Sequence, residues 1–280
     1  MAMTGDHRDV ETHYTRSALG AAILAALTAS GKDIEHLTPD DLAPVDEFHS
    51  RRRLATAELA ALLAPKASDR VLDVGSGIGG PSRFLAATFG CRVTGLDLTA
   101  EFCRVAADLA RRTGLGERVD YRQGDATAMP FDDASFDLAW SQNAAMNIAD
   151  RAALYGEVHR ILKPGGRFAL QEVTAGPGGA PHFPTPWSRD GGISFLLSPE
   201  ATRAALEAAG FRVLAWEDKT ATALAEAQAE RARVKANPGP RPALGIHLIL
   251  GDDFPAMMKN GLRNLEERRT GLINAVLQRG

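Results

Sequence analysis

Val71-Leu72-Asp73-Val74-Gly75-Ser76-Gly77-Ile78-Gly79-Gly80 is the stretch that decides the fold. It reads as the end of a buried strand that runs into a glycine loop and opens a helix. Glycine lets the backbone turn tightly and lets a ligand approach where a Cβ would clash. In open parallel sheets, ligands bind at the carboxyl ends of strands, near such a loop. The spacing Gly75-x-Gly77-x-x-Gly80 also fits a dinucleotide fingerprint, so it does not by itself separate NAD from other adenosine cofactors.

Outward from the loop, strands and helices alternate. Strands are expected over Arg70–Val74, Arg92–Asp97, Arg118–Gln123, Phe136–Ser141, Arg167–Val173 and Phe211–Trp216. Between them lie a helix to about Phe89, one capped by Thr99 that stops at Gly114, and one from an Asp150 cap to Leu162. That last helix is closed by Lys163-Pro164-Gly165-Gly166, and a further helix runs from Ser198-Pro199-Glu200 to Gly210. This rhythm predicts a doubly wound parallel sheet. Gly271–Leu277 suits a last strand, antiparallel, at the far side of the sheet.

Upstream, residues 1–66 read as a helical N-terminal cap. Ser17 is placed to cap a helix to Gly31, with Leu19, Ile23, Leu24 and Leu27 on one face. Thr38-Pro39-Asp40-Asp41 starts a second helix, and a third covers about Glu47–Leu63. Residues 67–280 form the main domain, with lid segments at about 174–197 and 220–268. The first of these is rich in Gly and Pro and too long for a simple connector. Thr222–Ala236 reads as helix, and Ala243–Glu267 as strand, helix or both.

The 280 residues carry 32 basic and 35 acidic side chains, a net charge of -3, which leaves no electrostatic footprint for nucleic acid. Arg51-Arg52-Arg53 reads as a charged helix face. Cys91 and Cys103 form no CxxC, so a reducing cytoplasm is expected. The acidic N-terminus is no secretory signal, and the apolar run around Ala18–Ala29 is too short to span a bilayer. There is no HExxH and no Cys/His set for a metal. The expectation is a cytoplasmic protein, monomer or homodimer, that handles a small molecule.

Three carboxylates fall at telling distances from the loop. Asp97 ends the second strand, twenty residues beyond Gly77, where a carboxylate accepts hydrogen bonds from a ribose diol. Asp125, in Gly124-Asp125-Ala126 after the third strand, is placed to accept from an adenine amino group while Ala126 packs the ring. Asp73, two residues before the first glycine, suits a cationic ligand end and repels a pyrophosphate. This moves the reading from a dinucleotide toward a cofactor with an amino group and a sulfonium, and disfavours an NAD-dependent oxidoreductase.

Together VLDVGSGIGG, GLDLT, QGDATAMPFDDASFDLAWS and EVHRILKPGGRFALQEV resemble the class I S-adenosylmethionine-dependent methyltransferases, in order and spacing, over roughly residues 70–173. The resemblance implies a Rossmann-like seven-stranded α/β sheet with a final reversed hairpin. It implies cofactor contacts from Asp73, Gly75 and Gly77, from Asp97 and Leu98 at the ribose, and from Asp125 and Ala126 at the adenine. It places Gln142 or Asn143 near the methionine moiety and the methyl group. The flanking segments HYT (His13–Thr15), LTPDDLAPVDEFH (Leu37–His49) and PHFPTPWSRDGGISFLLS (Pro181–Ser198) are similar to the sarcosine/dimethylglycine N-methyltransferase subgroup.

Methyl transfer from a sulfonium asks chiefly for alignment of acceptor, methyl carbon and sulfur. The stretch Ser141–Asn147 has no histidine, whereas many related O-methyltransferases carry histidines there, and this favours an amine acceptor over oxygen or carbon. His49 is the remaining candidate base, with a structural role as the alternative. Tyr14 is expected to close over the cofactor. Met146, Phe183 and Trp187 are the expected acceptor contacts, the two lid aromatics either holding a cationic amine or capping the core.

Overall fold

Interior strands of a parallel sheet are covered on both faces and must be apolar throughout. Strand β1 (Arg70–Val74) meets that demand, with every residue after Arg70 buried. The structure, a computed structural model, describes residues 5–16 and 18–280. Helices α1 (Gly5–Tyr14), α2 (Leu19–Ala29), α3 (Pro39–Asp46) and α4 (Arg52–Leu63) precede β1. There follow α5 (Gly80–Phe89), β2 (Arg92–Asp97), α6 (Ala100–Arg112), β3 (Val119–Gln123), β4 (Phe136–Gln142), α7 (Arg151–Ile161) and β5 (Leu162–Ala175). The chain ends with α8 (Pro199–Ala208), β6 (Phe211–Asp218), α9 (Thr220–Ala236), α10 (His247–Leu250), α11 (Phe254–Glu266) and β7 (Thr270–Arg279).

The seven strands lie in the order β3-β2-β1-β4-β5-β7-β6. The first five pair in parallel, and β7 runs antiparallel to both β5 and β6. The order reverses at β1 and β4, so the carboxyl ends of these strands open the crevice where a ligand sits. One sheet face is covered by α7 and α8, through Leu154, Val158, Ile161 and Leu206 over Phe168 and Phe211. The other is covered by α4 and α5, through Leu59, Leu63 and Leu85 over Val71 and Trp140. A satellite cluster joins α2 to α6, with Leu19, Ile23 and Leu27 against Phe102, Val105 and Leu109. Among the described residues no helix is long and apolar enough to cross a membrane.

Several elements depart from expectation for identifiable reasons. Ser17, the expected cap of α2, lies outside the described residues. The third helix begins at Arg52 rather than Glu47. Glu47 is 1% exposed and bonded to His49, Arg53 and Thr56, so residues 47–51 form a turn around a buried polar hub. Thr99 stands at the start of α6 but its hydroxyl caps nothing; its N–H is taken by Asp97 Oδ1 at 2.8 Å. Lys163–Gly166 runs within β5, whose pairing with β4 carries a bulge there. The last strand lies between β5 and β6 rather than at the far side, which suits its run of six buried residues from Leu272 to Leu277. The stretch from Ala243 to Glu267 is helical where it is regular.

Candidate active site

A cavity of about 400 Å³ opens over the carboxyl ends of β1 to β4. The glycine loop forms its floor, and its glycines make the expected tight turn with positive φ, but protein atoms also crowd them. Gly75 has φ +74°, and a Cβ there would lie 2.3 Å from the Ala144 Cβ. Gly77 has φ +54°, and a Cβ would lie 2.9 Å from the Phe48 ring. What crowds these glycines is the protein itself, through the post-β4 turn and the N-terminal arm. The loop amides are also spent internally: Gly75 and Ser76 donate to Leu96 O, and Gly77 donates to Asp97 Oδ2 at 2.8 Å.

The carboxylates line the cavity in the order the strands dictate. Asp73, at the end of β1, is 1% exposed and accepts only the Ser82 hydroxyl, at 2.6 Å. Burial, reinforced by the neighbouring Asp97 charge, pushes its carboxyl up to about 7. Such a group gains from a cation beside it. Asp97 takes the N–H groups of Gly77 and Thr99, one on each oxygen, and each oxygen keeps a lone pair for a further donor. Burial raises its carboxyl as well. Asp125 accepts from the Thr127 amide and hydroxyl, and its other oxygen lies 3.5 Å from His7 of α1. Leu98 and Ala126 line the cavity beside them.

The N-terminal arm closes the opposite side. Thr38 begins α3 through a capping box with Asp41. At the end of that helix Asp46 pairs with Arg83 of α5 at 2.5 Å, both fully buried, and Arg83 also donates to Ile78 O. Desolvation raises the Asp46 carboxyl to about 6 despite Arg83. The arm then presents Phe48, His49 and Ser50 to the cavity. His49 Nε2 lies 2.8 Å from Glu47 Oε2 and 3.1 Å from Thr56 Oγ1, and its Nδ1 lies 3.3 Å from Ser50 O. With a carboxylate on one ring nitrogen and a carbonyl by the other, a proton arriving on the ring finds acceptors on both sides.

Gln142 ends β4 and Asn143 follows it. Gln142 Oε1 accepts from Trp140 Nε1 and Thr56, and its amide donates to Gln171, so it serves a buried polar row as well as lining the cavity. Asn143 has φ +50°; its Nδ2 donates to Ser50 Oγ at 3.3 Å, and its buried Oδ1 has no partner among the described residues. Beyond them Met146, Val173 and Trp187 form an apolar wall.

Asn147 ties three segments together. Its Oδ1 accepts the Tyr14 hydroxyl at 2.8 Å, and its Nδ2 donates to Trp187 O and Ile193 O. His13 bonds Pro186 O alongside. Tyr14 thus reaches the cavity wall with its proton already committed.

Every residue singled out in the sequence for the cofactor lines this one cavity, as do His49, Asn143, Met146 and Trp187. Phe183 is the exception: its ring packs against Gly191, where a Cβ would lie 2.9 Å from it, outside the cavity lining. Reading the sequence missed Asp46, Phe48, Ser50 and Asn147. Asp46, Phe48 and Asn147 stand in segments it had marked, Leu37–His49 and Ser141–Asn147, and Ser50 stands one residue past the first, but no local pattern told which of those side chains turn inward. Among the described residues no His/Cys/Asp/Glu group is arranged for a metal.

The methyltransferase domain family matches residues 72–170, from the middle of β1 to the middle of β5. By that match, residues 72–170 are a methyltransferase domain. The chain is 36% identical over 157 residues to a sterol 24-C-methyltransferase of Eremothecium gossypii, covering 54% of the chain and 42% of that protein. It is 27% identical over 245 residues to a glycine/sarcosine/dimethylglycine N-methyltransferase of Actinopolyspora halophila, covering 86% of the chain and 41% of that protein. The chain therefore spans less than half the length of these two curated relatives. In fold it matches geranyl diphosphate C-methyltransferase of Streptomyces coelicolor A3(2), solved with S-adenosyl-L-homocysteine, with TM-score 0.72 over the whole of both chains at 19% identity. The class I fold expected of the sequence is thus the one found.

Proposed function

We propose that this chain transfers a methyl group from S-adenosylmethionine to a small-molecule acceptor. The observation that supports it best is Asp73: a fully buried carboxylate, raised to about 7, with no ion pair among the described residues. A cationic amino end satisfies it; a pyrophosphate opposes it, because like charges repel at short range. Asp97, with its free lone pairs, fits a sugar diol, and Asp125 fits a purine amino group. The orphan Oδ1 of Asn143 lies past β4, where the reacting end belongs.

When bound, the cofactor supplies a methyl group on a sulfonium, which leaves without an acid. What remains for the chain is to bind, align and exclude water. The clasp of Asn147 on Tyr14 and on residues 187 and 193 holds the cavity closed around its contents. Phe48 and Phe102 add apolar wall.

The sequence preference for an amine acceptor rested on the lack of a histidine just after β4. A second reading, transfer to a hydroxyl, is favoured by His49, which the N-terminal arm delivers to the same wall. Its Nε2 is held by Glu47, and its Nδ1, 3.3 Å from Ser50 O, is the nitrogen that a hydroxyl acceptor would have to reach. Either acceptor can lose its proton to this ring.

The test is calorimetric titration of the chain with S-adenosylmethionine, then turnover of methyl-labelled cofactor with amine and phenol panels and identification of the methylated atom. Saturable uptake that Asp97→Ala weakens by at least tenfold, about 1.4 kcal/mol, is expected. Unchanged uptake in that variant, or tighter binding of NAD, refutes the reading.

A further inference from the structure

The acceptor end of the cavity carries a signature of its own. With the nucleoside assigned to Asp97 and Asp125 and the amino end to Asp73, the space left lies over β4 and β5. On one side stand His49, Ser50 and Asn143; on the other Met146, Val173 and Trp187. Asn143 N–H bonds to Gln171 O, which fixes its left-handed backbone, and its Nδ2 is spent on Ser50 Oγ. Its Oδ1 is buried without a donor. A buried acceptor beside the cavity with no donor among the described residues is matched by a ligand that brings an O–H or N–H.

Charge makes the second point. Five aspartates line the cavity, Asp46, Asp73, Asp97, Asp125 and Asp150, and among the described residues no lysine or arginine does. The nearby arginines are engaged elsewhere: Arg51 with Glu58 and Glu226, Arg53 with Glu47, Arg83 with Asp46, and Arg151 with Glu172. A carboxylate or phosphate entering here would lose its water and find no lysine or arginine in the described lining.

We propose that the acceptor subsite takes a small molecule that bears no negative charge, offers an O–H or N–H to Asn143 Oδ1 and lays an apolar body against Met146, Val173 and Trp187. This rests on the methyl-transfer reading above. It sets the chain apart from enzymes whose acceptors are amino-acid carboxylates or phosphate esters, which need a paired cation such as arginine in the site.

The experiment separates the two proposals. Uptake of S-adenosylhomocysteine is measured first, and its failure counts against the cofactor assignment alone. The saturated chain, labelled with 13C at the methionine methyls, is then titrated with one-ring phenols, benzylamines, benzoates and phenyl phosphates of matched size. Phenols and benzylamines should shift the Met146 resonance with affinity at least about tenfold above the matched anions. Ser50→Arg should narrow or reverse that gap. Benzoates or phosphates binding the unaltered chain as well as the phenols and benzylamines do would overturn the proposal. So would the failure of every compound to reach Met146, since the wall would then not be an acceptor subsite.

Discussion

Replacing Gly75 by alanine tests why the glycine loop is glycine. The added Cβ would sit 2.3 Å from the Ala144 Cβ, where carbon atoms need ~3.5 Å or more, so the neighbour has to move by over an ångström. The left-handed φ of +74° adds a conformational cost of about 1–2 kcal/mol for a residue with a Cβ. Overpacking of this kind adds about 1–3 kcal/mol. The sum, roughly 2–5 kcal/mol, corresponds to a fall in Tm of about 2–4 °C per kcal/mol for a chain of this size. The decisive arm is Gly75→Ala combined with Ala144→Gly. It should recover the overpacking part, about 1–3 kcal/mol, and leave the φ cost in place. Thermal and urea unfolding of the cofactor-free chain read all four corners of the cycle. If Gly75→Ala leaves cofactor-free stability untouched and damages only cofactor binding, the glycine is there for the ligand and the packing argument is wrong. If Ala144→Gly rescues nothing, the clash has been misassigned.

Three further outcomes are expected. Asp73 sits at about 7 in the folded chain, above its ordinary carboxyl value, so it retains its proton when folded and loses it first when unfolded. Stability of the cofactor-free chain from this group is therefore full below about pH 4 and is lost as pH rises toward 7; Asp73→Asn should flatten that slope. Calorimetry in two buffers of different ionisation enthalpy should show S-adenosylmethionine binding release a proton near pH 6, and none in that variant. Asn147→Ala strips the partner from the Tyr14 hydroxyl and from the carbonyls of residues 187 and 193, costing about 1–3 kcal/mol for the buried donor alone. Limited proteolysis should then cut within 181–197 sooner, and equal rates would show that the clasp carries no weight. His49→Gln should slow turnover of a hydroxyl acceptor by about 10²–10⁴, while cofactor affinity is unchanged. A variant that keeps the rate makes His49 structural.

The sheet was legible because its signals are local. Asp73, Asp97 and Asp125 each follow a strand whose apolar run and glycine or turn neighbours mark its end, and parallel order sends all three ends to one edge. Spacing along the chain thus becomes spacing across the crevice. The place of β7 was less legible, because an antiparallel insertion between β5 and β6 depends on which partner buries Leu272–Leu277. Phe183 illustrates the same limit: composition marks an aromatic lid, but only the tertiary structure packs its ring on Gly191, outside the cavity lining.

By itself the amino-acid order determined the parallel sheet, the glycine turn and the three carboxylates at the strand ends. Each depends on residues within one strand and its following turn. Tertiary structure alone decided that Asp46 locks onto Arg83, that Phe48 and Ala144 crowd the glycines, and that His49 reaches the wall past β4. Those contacts join residues dozens of positions apart through burial and charge pairing, and no period or motif along the chain encodes them.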